Sequence, residues 1–185
     1  MYADSQSVAE ARDQYFRDNG LSPTGYTDRW VKLKLGPLPI AFPNTAARKA
    51  AVRLHDLHHV ATGYATTWTG EAEIAAWELA AGCGRYWAAW FLNVGAFGVG
   101  LLIAPRRTFR AFVRGRHARS LYRRAFGDDL LALTVGDLRR QLGLAEPTPA
   151  ANAGDVASFA GFALAQLVAF AALPVAVVVS ILLLG

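Results

Sequence analysis

The stretch LHDLHHVATGYATTWTGE, residues 54–71, holds three of the chain's four histidines in five positions, with an aspartate beside the first and a glutamate at its end. Upstream of it, Asn44 or Thr45 stands as a helix N-cap after Pro43, and AARKAAVRLHDLHHVA runs on to Gly63, a natural C-terminal stop. A second helix opens near Gly70-Glu71 and continues through AEIAAWELAAG, with two glutamates, Glu71 and Glu73, in its first turn favouring the dipole. The pattern predicts a helix hairpin. On its first helix His55 and His59 are i and i+4, one above the other, and can grip a single ion. His58 belongs to the same face, so spacing alone leaves open which of His58 and His59 is the second ligand. Asp56 can reach the same ion or orient a ligating imidazole. The turn can bring Glu71 back towards the end of the first helix. Two imidazoles and one or two carboxylates suit Zn²⁺ well, and Fe²⁺ or Mn²⁺ tolerably. Such a set leaves a coordination position open, the pattern of a catalytic site. The competing reading is a polar helix face whose histidines pair with Asp56, Glu71 or water.

Working outward, the fold class expected is all-α, a helical domain with this hairpin and a C-terminal transmembrane helix. No strand-type alternation of useful length is seen. Residues 1–43 read as an N-terminal arm, with a short helix from Ser7 to Arg17 and an extended, proline-punctuated LGPLPIAFPN. Residues 44–144 form the metal-binding domain, and within it DDLLALTVGDLRRQLGL reads as one short amphipathic helix. Residues 145–156 are a linker and 157–185 a membrane anchor. The anchor rests on 28 uncharged residues, 157–184. At about 1.5 Å per residue they exceed a hydrocarbon core of about 30 Å. Tyr86 to Ala104 is also uncharged but is interrupted by Asn93 and three glycines.

With 54% hydrophobic and only 18% charged residues the chain is too apolar to be disordered. Its net charge of +5 is concentrated: Leu79 to Gly127 has no acid, and eight arginines lie between Arg106 and Arg124. That suits phosphate or anionic lipid. Nucleic acid is not an expected partner, because no recognised binding fold accompanies the arginines. The single cysteine, Cys83, excludes an internal disulfide and a multi-cysteine zinc site. The acidic, polar start of the chain is not a secretory or transit signal.

Three motif readings fail on the residues. A zincin-like protease needs His-Glu-x-x-His, and this chain has Asp56 at the second place. A His-Asp phosphohydrolase needs an earlier histidine, and His55 is the first. A membrane desaturase needs several histidine boxes, and beyond this cluster there is only His117. The fourth reading fits. His55-Asp56-x-x-His59, eleven residues, then Glu71 resembles the His-Asp-x-x-His-x(11)-Glu signature of the coenzyme Q biosynthesis protein 4 family. The resemblance continues in HVATGY and in the GE of the next helix, and more loosely in GAFGVGLLIAPRR and LRRQLGL. The N-terminal arm is shorter than the family usually has, and the apolar ending departs from it.

The resemblance implies an all-α, membrane-associated protein of the ubiquinone pathway, with His55, Asp56, His59 and Glu71 as zinc ligands. It implies oxidative removal of the ring carboxyl at carbon 1 of a polyprenylated hydroxybenzoate, with hydroxylation there. The alternatives are a non-catalytic scaffold organising other quinone-biosynthesis proteins, and a related metalloprotein acting on another prenylated aromatic substrate. A homo-oligomer is expected. A prenylated aromatic lipid needs an apolar groove, for which Trp87, Trp90, Phe91, Phe97 and Leu101 are candidates. It also needs a cationic end, for which Arg106, Arg107 and Arg110 are candidates. The basic run is interleaved with Phe109, Phe112, Val113, Leu121 and Tyr122, as in an interfacial helix. His58, if not a ligand, is the candidate proton shuttle. With one span, the arginines place the domain on the cytoplasmic side.

Overall fold

A computed structural model describes residues 1–35 and 38–184, with side chains described for 1–31 and 41–170. Among these residues the fold is mostly helical. The elements in chain order are α1 (Val8–Asp18), β1 (Trp30–Leu35), β2 (Leu38–Pro43), α2 (Ala46–Thr62), α3 (Trp68–Ala81), α4 (Trp87–Ile103), α5 (Pro105–Arg116), α6 (Asp128–Leu131), α7 (Val135–Leu142) and α8 (Ala153–Leu184).

The helix starts are written in short polar side chains. Ser7 and Glu10 form a reciprocal capping box at α1. Thr45, Thr67 and Thr134 cap α2, α3 and α7 through the backbone N–H three residues on. Gly63 ends α2 in the left-handed conformation expected of it. Three local expectations change. α3 opens at Trp68 rather than Gly70, because Thr67 supplies the cap, and only Glu71 falls in its first turn. The stretch expected as one amphipathic helix after Gly127 is two, α6 and α7, because Thr134 starts a new one. The expected absence of strands is corrected by an antiparallel ribbon, Trp30 opposite Pro43 and Leu35 opposite Leu38. A two-stranded ribbon is all edge, so Pro39 and Pro43 are tolerated in it. The Gly36-Pro37 part of the extended stretch lies outside the described residues.

α3 is the hub. It packs between α4 and α5 and buries Ala72, Ile74, Ala75, Ala76, Trp77 and Leu79. The α3–α5 contact is close enough that a Cβ added at Gly115 would lie 2.3 Å from the Trp77 carbonyl oxygen. α1 packs on α2, burying Tyr15 and Phe16 with Val60 and Val135. Arg139 of α7 donates to the carbonyls of Ala61 and Tyr2, tying both to the body.

α8 opens at Ala153, four residues before the uncharged run. Its first turn is clasped to the end of α5, where Asp155 accepts from Arg116 and His117 at 3.3 and 3.1 Å. Phe159 and Phe162 then pack edge-on against Phe97 and Phe112. Ala153–Phe170 is long and apolar enough to cross a membrane, and only 11% of that window is buried in the fold.

Candidate metal centre

The histidine pair is built by α2 and completed by the first turn of α3. The link from Gly63 to Thr67 folds back so tightly that a Cβ on Gly70 would lie 2.0 Å from the Ala65 carbonyl oxygen. Glu71, the next residue, is thereby turned towards α2.

The hydrogen-bond partners assign the imidazole protons. His59 Nδ1 lies 2.9 Å from the Tyr64 carbonyl oxygen, which can only accept, so Nδ1 is the donor. His55 Nδ1 lies 2.9 Å from Glu78 Oε1, an ionised carboxylate that also only accepts. In the neutral imidazoles each Nε2 is therefore left as a lone pair, and the two face one another at 3.1 Å. Glu71 closes the third side, its oxygens 3.5 Å from each Nε2. Three electron-rich groups converge on one point, and a cation or an added proton relieves their repulsion. Their donor atoms lie within 4.8 Å of one another, so the trio can hold a metal ion. His59 is sealed from solvent while the Glu71 side chain is 36% exposed, so the site opens on the Glu71 side.

Burial opposes a charge on His55, but the Glu78 and Glu71 carboxylates outweigh it and raise the pKa well above the usual histidine value. Burial would likewise raise Glu71, yet its bonds with His55 and His59 bring the carboxyl down to about 2.

Glu78, which reading the sequence did not single out, organises this centre from behind. Its side chain is fully buried and accepts four hydrogen bonds: His55 Nδ1, His58 Nδ1 at 2.6 Å, Asn93 Nδ2 at 2.5 Å and Tyr122 Oη at 2.8 Å. A carboxylate behind a ligating imidazole fixes its tautomer and orientation. Despite burial, the nearby histidines hold its pKa well below the usual carboxylate range. The signal was in the sequence. Glu78 is the lone acid within AAWELAAG, and a charge there requires buried partners. Asn93, noted only as an interruption of an apolar run, is one of them.

The other candidates lie elsewhere. The Asp56 carboxylate is outside the trio, accepting from Tyr26 Oη at 2.6 Å and, more distantly, Tyr15 Oη at 3.5 Å. Burial raises its pKa. Tyr15 in turn stacks on His59, ring centroids 5.4 Å apart, so the N-terminal segment contributes to the centre's wall. His58 is enclosed, with Nδ1 on Glu78 and Nε2 accepting from the Leu121 N–H at 2.8 Å, so neither nitrogen is free. Burial lowers its pKa. Arg106, Arg107 and Arg110 are exposed on the first turns of α5, where Arg107 donates two bonds to Glu73. The apolar candidates are divided: Phe97 belongs to the core, while Trp87, Trp90 and Phe91 face outward. Comparison of the chain with protein families, with curated proteins and with solved structures gave no match.

Proposed function

We propose that this chain is a metal-dependent, membrane-anchored protein of ubiquinone-type lipid biosynthesis, acting on a polyprenylated hydroxybenzoate. The observation that carries the reading is the convergence of His55 Nε2, His59 Nε2 and the Glu71 carboxylate, at the spacing of the motif it resembles. Two imidazoles and a carboxylate with a side open to solvent fit Zn²⁺, and less closely Fe²⁺ or Mn²⁺. A bound cation supplies Lewis acidity towards a carboxylate or phenolate oxygen. Around it, Glu78 and the Tyr64 carbonyl hold the two imidazoles in the ligating tautomer. Asp56, the remaining motif residue, adds negative charge beside them, and His58 steadies Glu78.

In the proposed reaction the ring carboxyl leaves as CO₂, and its electron pair stays at carbon 1. Hydroxylation there uses O₂ as the two-electron oxidant: the carboxyl-bearing ring, O₂ and one water give the ring phenol, CO₂ and hydrogen peroxide. Zn²⁺ carries no electrons. The oxidative half therefore needs Fe²⁺ or Mn²⁺ at this site, or another quinone-biosynthesis protein. α8 serves as a single span, and the basic domain lies on the cytoplasmic side.

The trio joins α2 to α3, which favours a second reading: a scaffold in which the ion pins the hairpin. Chelation then unfolds the domain, whereas an active centre loses turnover first. The decisive experiment is mass spectrometry of the lipids in a deletion strain. Build-up of a carboxylated prenyl-aromatic precursor is expected, and unchanged quinone pools would end the assignment to this pathway. Elemental analysis of His59→Ala should find the metal lost, and full retention would remove His59 from the ligands.

A further inference from the structure

Helix α4 has two unlike faces. Its inner face, Ala88, Asn93, Phe97 and Gly100, is buried in the domain. Its outer face recurs at three- and four-residue spacing through Trp87, Trp90, Phe91, Val94 and Leu102, all exposed, with Phe91 at 74% and Leu102 at 75%. No charge interrupts it. An apolar stripe this long is not left to water in a soluble surface without a partner.

Three further observations name that partner. First, α8 crosses α4 at Gly98, where an added Cβ would lie 2.7 Å from Phe170 and 2.9 Å from Gln166. The exposed Leu167 of α8, about 100° round from Gln166, thus flanks this crossing, while the exposed Leu164 and Val168 lie on the far side of α8. Second, both ends of α4 carry exposed cations: Arg85 precedes it, and Arg106 and Arg110 follow on α5. Third, Trp87 and Trp90 sit at one end of the stripe, the side chain favoured where hydrocarbon meets head groups.

We infer that the outer face of α4 is a bilayer-contact surface, seated in lipid beside α8, with its flanking arginines at anionic head groups. The inference deepens the proposed function and takes from it the reading of α8 as a span. α4 does not cross the membrane, because its inner face is committed to α2, α3 and α5. That inner face carries Asn93 to Glu78, and Glu78 holds His55. The metal centre therefore stands behind the lipid-facing helix, linked to its inner face through Asn93 and Glu78. A prenylated substrate can keep its tail in lipid while its head reaches the site.

The test uses the full chain in vesicles of phosphatidylcholine and phosphatidylglycerol, with a nitrobenzoxadiazole label on a cysteine placed at Phe91→Cys, Leu167→Cys or Glu146→Cys. Brominated lipid should quench the labels at 91 and 167 several-fold more than the label at 146, and aqueous iodide should do the reverse. A label at 91 reached by iodide and not by bromine, with 167 quenched by bromine, overturns the inference while leaving α8 as a span. A label at 91 shielded from both quenchers also overturns it, in favour of a second protein copy. Bromine quenching at 91 without quenching at 167 upholds the α4 contact and removes only the span.

Discussion

Glu78 gathers four donors onto two oxygens, and its removal reaches further than its own bonds. In Glu78→Gln the amide NH₂ is a donor facing other donors, so buried hydrogens lose their acceptor. His55 also loses the group that holds its proton on Nδ1. Metal affinity, measured by competition against a chromophoric chelator, should fall roughly 10–100-fold. Affinity equal to that of the unaltered chain would mean that Glu78 serves the core and not the centre. The same logic separates the adjacent histidines. His55 and His59 turn Nε2 atoms to one point, whereas His58, one residue before His59, turns its Nε2 to a backbone N–H. A helix rotates by about 100° per residue, which is enough to send neighbours into different surroundings.

Between helices, small residues set the spacing. Gly115→Val would drive a branched side chain into the Trp77 carbonyl, and overpacking of this kind costs about 1–3 kcal/mol. Chemical denaturation in detergent should show that loss. By contrast, Gly95→Ala meets nothing within 4 Å, and helix propensity favours it by up to about 1 kcal/mol. The clasp between α5 and α8 hangs on Asp155, which accepts from Arg116 and His117. Asp155→Ala should lower the melting temperature of the full chain, and an unchanged value would show that the Phe159 and Phe162 packing alone holds α8 to the domain.

For the chain as a unit, α8 and the outer face of α4 make the molecule one-sided. An apolar surface including Phe91, Leu102, Leu164 and Leu167 is exposed along one pair of crossing helices, and the metal centre opens beside Glu71. If α8 spans, the protein should stay with the membrane pellet after an alkaline carbonate wash. Release into the supernatant would reduce α8 to a surface helix.

Much of this is legible in the sequence. Caps at Ser7, Thr45 and Gly63 are local hydrogen-bond chemistry, so the ends of α1 and α2 could be read directly. The i, i+4 histidines and the length of the apolar ending are likewise properties of a short or uniform stretch of chain. What could not be read depends on contacts between residues far apart. Glu78 meets Tyr122 across 44 positions and Asp56 meets Tyr26 across 30, and no periodicity reports such pairings. Spacing leaves open which of His58 and His59 is the second ligand, and whether Asp56 reaches the ion or orients an imidazole. Packing gave each a different partner, because a buried polar atom takes whichever donor or acceptor the fold brings within reach.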